Sequence, residues 1–566
     1  MSVRQQKRRP PAIAQAEPDP SLKALAAFLE RHCRTIALAL ILIGSVRIVA
    51  TYTVFNHVFD EPAHIACGME WLSQGSYRYE TQHPPLARVA AALGPYLAGI
   101  RSQGTPPGSV LSMYTEGNAI LSRDGRYDRT LALARLGILP FYWIACLVVY
   151  AWGKWYFNPS VAVVSVFLFS FLPPVLAHAG LATTDMAVAA FLGAAFLAAL
   201  VWVERPTAFD AVLFGAATGL AALSKSSSLV FFPAIVIVAL AWYCADERPG
   251  VRSVAVAVKQ WIPTFGLAVI TGFLLIWAGY RFSFGAVGFA NLRLPAPEFY
   301  SGIQAVMQHN AEGHPTYLLG QRSHSGFWYF YPVVLAVKTP LAFLLLLAAG
   351  VVFQFRKALP FRRAWLPLAF AAGILAVALT SRINIGVRHI LPVYIGFSVL
   401  AGAAAVRLLE MARTERWIRH VLLLLLLWFA GSSLWSHPDY LPYFNELAGS
   451  EPEKILVDSD LDWGQDVKRL VSRLRQAGAS EVAFSPFLQG DLGEQLGLPR
   501  MLPVDALAPS PGWNAVSLSL WKQRRLGLYD EYPQVKLWPD RIETEPERVG
   551  KGILLWYFPP TGIPGR

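Results

Sequence analysis

The stretch HVFDEPAHIA, His57 to Ala66, sets Asp60 and Glu61 side by side just behind the first long apolar run of the chain. Two carboxylates in that position can take a proton from a hydroxyl, ligate a metal, or simply edge a solvated loop. On a helix starting near 60, Asp60 and His64 share one face, and Glu61 also comes within reach of His64. An acid favoured at a helix N-terminus by the macrodipole accounts for one carboxylate. It does not account for His57, His64, Gln82 and His83 in the same loop. Glu61, His64 and His83 are zinc-ligand types, but their spacing matches no metal motif. Further along, LAHAGLATTDMA (176–187) supplies His178 and Asp185, and LSKSSSL (223–229) supplies Lys225. WYFYPVVLAVKTPL (328–341) carries Lys338, SRINIGVRHILP (381–392) carries Arg382, Arg388 and His389, and Arg135 stands slightly inside an apolar segment. Each base alone reads as a side chain snorkelling to lipid headgroups. Acids and bases collected at one membrane face are functional candidates together.

The elements that must position these residues are membrane helices. Hydrophobic residues make up 54% of the 566 and charged residues only 15%. About 20 apolar residues cross the hydrocarbon core, where the backbone must satisfy itself as helix. About eleven such segments are expected by that length, near 35–55, 131–152, 159–178, 185–203, 209–223, 227–245, 262–280, 331–355, 364–380, 388–407 and 418–435, the fifth and ninth being short. Residues 1–34 form a basic lead-in to a retained signal anchor. Arg4, Lys7, Arg8 and Arg9 precede the first span, and Arg248, Arg252 and Lys259 follow the sixth. Arg356, Lys357, Arg362 and Arg363 separate the eighth and ninth, and Arg407, Arg413, Arg416 and Arg419 separate the tenth and eleventh. With an odd span count all four clusters fall on the cytoplasmic side. Topology thus uses most of the net charge of +12, and a nucleic-acid partner is not expected.

That orientation places the 56–130 loop, the 281–330 loop and everything after 436 outside. Helices are expected around 60–74, ended by Gly75, and 85–98, opened by Pro84–Pro85. Residues 436–566 read as a compact α/β domain, with strands at KILVDS (454–459), EVAFSPF (481–487), NAVSLSLW and GILLWYF (552–558) and a helix over 463–478. Asp458, Asp460, Asp462 and Asp466 could hold a divalent ion; the favoured reading is an exposed turn and helix N-terminus.

FDEPAHIACG, QHPPLARV, LATTDMAVA, FYPVVLAVKTPL and INIGVRHILPVY, in this order over roughly 35–435, resemble the polyprenyl-phosphate-sugar-dependent glycosyltransferases of the GT-C membrane fold. That group includes the protein O-mannosyltransferases and the lipid A aminoarabinose transferases. LVDSDLDWGQDVKRL (456–470) looks like the tail of an uncharacterised bacterial branch of the group. The resemblance implies a polytopic α-helical enzyme in the bacterial inner membrane, with its active site and tail periplasmic. It implies transfer of a sugar from a polyprenyl-phosphate donor to a hydroxyl of a lipid, glycan or protein, with inversion and without a cofactor. Asp60 would be the general base, Asp185 would orient the acceptor or support the first loop, and Glu61 would tune the base by like-charge coupling. Arg388, Lys225, Lys338 and Arg135 would meet the donor phosphate; His64 and His389 would touch substrate, and His83 would touch the sugar or position the first loop. The tail is not the C-terminal module of the well-known protein O-mannosyltransferases, so a protein acceptor does not follow. The alternative is a transporter or flippase of lipid-linked sugars, which should show repeat symmetry and polar residues at mid-membrane depth; neither is evident.

Overall fold

The computed structural model describes residues 20–288, 292–361 and 363–559. Arg4, Lys7, Arg8, Arg9 and Arg362 of the basic clusters lie outside the described residues.

Every apolar segment expected from the sequence is helical. Among the described residues seven helices are long and apolar enough to cross a membrane: Ala27–Val49, Tyr127–Tyr156, Asp185–Glu204, Ser228–Glu247, Val254–Gly279, Val393–Met411 and Arg416–Trp435. Two bent helix pairs pass the same test together, Pro159–Ser170 with Pro173–Ala179 at 66° and Phe330–Lys338 with Leu341–Phe355 at 118°. Proline supplies both breaks: Pro173 and Pro174 follow the first bend, and Pro340 follows Thr339 in extended backbone, where a missing N–H and a fixed φ interrupt the ladder. The fifth and ninth segments are the shorter apolar helices Ala208–Ser224 and Leu366–Ala378, so length and composition alone give seven to nine spans rather than eleven. Val393–Met411 is the hub, with Val393 through Val406 buried.

In the first loop the helices Glu61–Gln74, closed by Gly75 at φ 69°, and Pro85–Leu97 fall where the sequence puts them. A third helix, Val110–Ser122, was not expected. The second loop folds as two short hairpins around the helix Pro297–Glu312.

The tail carries a five-stranded sheet in the order Arg500–Leu502, Glu481–Ser485, Gly512–Ser517, Ile553–Phe558, Glu547–Val549. The first three strands are parallel and the last two antiparallel to their neighbours. The helix Val467–Gln476 lays Val467, Leu470, Val471 and Leu474 against this sheet. Two expected strands are corrected. KILVDS forms no strand; it runs between the single helical turns Pro452–Lys454 and Asp458–Asp460. Leu456 and Trp463 pack into the core shared with the membrane helices, which buries an apolar run without a ladder. NAVSLSLW stays in the sheet only to Ser517, after which the helix Leu518–Glu531 begins.

Candidate active site

Asp60 is the residue before the helix Glu61–Gln74. Its backbone is near-helical (φ −83°, ψ −19°) and its side chain makes no capping bond, so a cap does not explain it. Instead Oδ2 accepts from Arg388 Nη1 at 2.9 Å. The Asp60 side chain keeps 24% exposure and that of Arg388 10%. The second carboxylate–base pair is Asp185 with Lys225, at 2.6 Å. Lys225 is released from the end of Ala208–Ser224 in extended backbone, while Asp185 opens the helix Asp185–Glu204 and leaves Oδ2 buried without a partner among the described residues. The Asp60 and Asp185 carboxylates both act on the Arg388 guanidinium, and His389 lies in the field of Lys225, Arg388 and Asp185. The structure therefore brings Asp60, Arg388, Asp185, Lys225 and His389 together from four separated stretches of sequence.

Arg388 sits on the short turn Val387–Ile390 and is held from the tail. Its guanidinium carbon lies 4.2 Å from the Trp463 ring centroid. The Val387 amide donates to Asp460 Oδ1 at 3.0 Å, and Ser459 Oγ donates to the Ile385 carbonyl. Gly386 permits this approach: at φ 110° it occupies the left-handed half of the map, and a Cβ there would stand 2.9 Å from Asp460 Oδ2 and Ser459 Oγ. Arg388 Nε is buried with no partner among the described residues. An arginine fixed on one face by an indole and on one edge by a carboxylate, with a donor left over, suits a phosphate oxygen.

Four sequence expectations change. Glu61 is fully buried and accepts four bonds, all at 2.8 Å, from Arg135 Nε and Nη2 and the Ala182 and Val58 amides. Arg135 gives its remaining donors to the carbonyls of Tyr52, Phe55 and Asn56. With all five N–H groups used and 1% exposure, it has none for a phosphate, and Glu61 has no lone pair facing Asp60. This pair clamps the loop onto the bundle. Lys338 ends the broken helix Phe330–Lys338, is 1% exposed, and donates to the carbonyls of Leu441 and Asp460 at 2.8 and 2.5 Å. It ties the bend to the tail rather than facing donor. His64, 4% exposed, accepts at Nδ1 from Arg88 Nε at 3.0 Å, which makes it part of the loop's interior. His83 bonds Glu80 through Nδ1 at 3.0 Å and keeps 30% of its side chain exposed.

The acidic run of the tail is also corrected. Asp460, Asp462 and Asp466 are each 1% exposed, not a solvated turn. Asp462 accepts from the Gly464 and Ser519 amides, both at 3.1 Å, and from the Ser517 hydroxyl. Asp466 accepts from the Lys551 and Gly552 amides at 2.9 and 3.0 Å. The Asp462 and Asp466 oxygens thus satisfy backbone donors.

Sequence reasoning missed Trp463, the buried hub of Arg88 with Tyr77 and Glu80, and the chain from Gln82 through His309 to His314 with contacts of 3.1 and 3.2 Å. Arg88 and Trp463 both stand inside recognised motifs. A charged residue on an otherwise apolar helix, and a tryptophan among acids, were the available signals.

Residues 130–277 match the family model described as dolichyl-phosphate-mannose-protein mannosyltransferase. No curated protein matches the chain. Among solved structures, ArnT from Cupriavidus metallidurans bound to undecaprenyl phosphate aligns at 14% identity and TM-score 0.46, over 92% of this chain and 97% of its own. The Archaeoglobus fulgidus oligosaccharyltransferase tethered with an acceptor peptide aligns at 13% and 0.48, over 83% and 61%. The S. cerevisiae Pmt1-Pmt2 complex bound to the sugar donor aligns at 15% and 0.33, over 47% and 35%. At such identities no residue's role transfers from them. The family match covers well under half of the chain and spans the stretch that carries Arg135, Asp185 and Lys225.

Proposed function

We propose that the chain moves one sugar from a polyprenyl-phosphate donor to an acceptor hydroxyl at the outer face of a bacterial inner membrane, with inversion and with Asp60 as general base. The observation that carries this reading is the Asp60–Arg388 pair, an incompletely buried carboxylate on a guanidinium with an unused donor. Glu61, one residue away, is spent on four bonds and cannot take the role.

The donor phosphate competes with Asp60 for Arg388. Its arrival exchanges one anion for another on the guanidinium and frees the Asp60 carboxylate to face the acceptor. The acceptor oxygen then bonds C1 of the sugar while the C1–O bond to phosphate breaks, its electron pair leaving on the phosphate oxygen. The hydroxyl proton passes to Asp60. Negative charge grows on the departing phosphate, where Arg388 and Lys225 are already fixed, so little reorganisation is needed during reaction. Asp185 holds Lys225 in place, and His389 borders the same space.

Purified protein incubated with a panel of polyprenyl-phosphate sugars and cell-envelope extract tests the reading, with Asp60→Asn beside wild type. Asparagine cannot accept the proton, so kcat should fall about 10²–10⁴-fold. The donor KM should hold or drop, because the amide no longer competes for Arg388. Equal turnover by the folded variant would remove Asp60 from the mechanism and pass the test to Asp185.

A further inference from the structure

A groove of about 540 Å³ lies between the helix Val110–Ser122 of the first loop and tail residues 489–495, a size within the usual range for a ligand site. Its walls are locked together. Gln495 Nε2 donates to Asn118 Oδ1 at 3.0 Å, and Asn118 Nδ2 donates to the Gln489 carbonyl at 3.2 Å. Gly490, at φ 121°, lets the tail backbone come so close that a Cβ would stand 2.8 Å from Asn118 Oδ1. The recess is thus part of the fold and not a gap between loosely placed loops.

Its chemistry is that of polyol recognition. Gln103, Asn118, Gln489 and Gln495 line it; Asn118 Nδ2 is spent on the Tyr114 and Gln489 carbonyls and Gln495 Nε2 on Asn118, which leaves Gln489 and the second N–H and lone pair of the Gln103 amide to meet hydroxyls. Tyr114 lines it as well and supplies an aromatic face. Charge narrows the choice further. Three carboxylates, Asp124, Asp491 and Glu494, share the groove with one guanidinium, Arg123. That guanidinium is already engaged, by Asp124 at 3.2 Å and by Gln103 Oε1 at 3.2 Å. A phosphorylated or acidic ligand would meet like charge here.

The groove also borders the aromatic packing next to Asp60. The Tyr114 ring lies 5.0 Å from Phe59, the residue before Asp60, and Phe59 stacks on Phe487 of the tail at 5.5 Å. Burial, and then the Asp60 charge, hold the Tyr114 phenol above its ordinary range, so phenol and base share one environment.

We propose that this groove binds the acceptor and that the acceptor is an uncharged glycan, not a phosphorylated lipid or an acidic peptide; the assignment rests on the transferase reading above. The test uses the full-length protein in nanodiscs with neutral hexose trisaccharides and their phosphorylated counterparts, read by saturation-transfer NMR, which needs no turnover. Neutral trisaccharides should bind and phosphorylated ones should not. Gln489→Ala should weaken neutral binding, and Glu494→Arg at the exposed rim should swing preference toward the phosphorylated set by about tenfold, as one reversed charge contact allows. Donor consumption measured on the same preparations separates the two readings. If donor is consumed but no neutral trisaccharide binds, or the phosphorylated set binds better to wild type, the acceptor assignment is overturned and the transferase reading stands. If Asp60→Asn consumes donor as wild type does, the transferase reading falls whatever the groove binds.

Discussion

Replacing Glu61 by glutamine removes half of a buried ion pair, leaving Arg135 charged and unneutralised among backbone carbonyls. Breaking such a pair from one side costs about 3–5 kcal/mol. Glu61→Gln should therefore appear as a lowered thermal unfolding midpoint and poor recovery of monodisperse protein. Asp60→Asn removes a partly exposed carboxylate and leaves Arg388 facing Asp185 as well, so it should lose less stability than Glu61→Gln. If both variants fold equally well, the clamp role of Glu61 is wrong. Trp463 offers a subtler case, because its 2% exposure keeps it from touching substrate while its ring supports Arg388 at 4.2 Å. Trp463→Ala should cut kcat/KM for the donor by about tenfold, in line with a desolvated cation–π contact of about 1–2 kcal/mol. Trp463→Phe should recover part of that loss. In an Arg388→Lys background the Trp463→Ala effect should shrink, since the flat guanidinium it supports is gone; an unchanged effect there would mean that the indole acts only on folding.

The turn from 456 to 466 shows how much one short element decides. It buries Asp462 beneath the sheet, and burial pushes that carboxyl up to about 6, with the Ser517, Ser519 and Gly464 donors opposing the rise. A carboxyl whose folded pKa lies above its unfolded value binds more protons when folded, so its stabilising contribution is complete below about pH 4 and is lost as pH rises through about 6. Between those limits the unfolding midpoint of the wild type should fall relative to that of Asp462→Asn, whose amide does not titrate. The variant itself should be less stable at low pH, because an amide nitrogen opposes backbone N–H donors. Parallel pH curves for the two proteins would contradict the assignment. This turn is also where the sequence was hardest to read. Ile455, Leu456 and Val457 make a short apolar run, which periodicity cannot separate from a strand. What bends it is the left-handed backbone of Asp458 at φ 59° together with partners at Ile385 and Val387, about seventy residues back along the chain. The acids read as solvated because nothing local says that amides of Ser519, Lys551 and Gly552 will fold onto them. By contrast, the helices Glu61–Gln74 and Pro85–Leu97 were legible to within a residue, since Gly75 and the Pro84–Pro85 pair end and start them locally. The same holds for Asp60, Asp185, Lys225 and Arg388, whose motifs sit at helix ends. Whether a base was free or spent, as with Arg135 and Lys338, depended on carbonyls from other helices and from the tail.

At the scale of the whole chain, the two loops and the tail meet in one assembly. Phe59 donates its amide to the Trp463 carbonyl at 3.0 Å, Lys468 pairs with Asp128 at 2.5 Å, and Gly302 of the second loop lies against the Thr81 carbonyl. All of this must lie on one side of the bilayer, because polar loops do not sit in hydrocarbon. Arg248, Arg252 and Lys259 follow the helix Ser228–Glu247, and the positive-inside rule predicts that they lie on the opposite, cytoplasmic side. Cys244 stands near that basic end and is exposed, whereas Cys33, Cys67 and Cys146 are buried, so the natural chain carries a usable reporter for one face. Asp505 is exposed in the tail, and Asp505→Cys in a Cys244→Ser background reports the other. In right-side-out vesicles a membrane-impermeant maleimide should label the Asp505→Cys protein and leave the natural chain unlabelled. Opening the vesicles should make Cys244 react. Labelling of both from the same side would break the link between the basic clusters and the helix count, and the Asp60–Arg388 pair could no longer be assigned to the outer face. Inverted labelling would instead place the donor phosphate in the cytoplasmic leaflet, and the donor panel would have to be presented from that side.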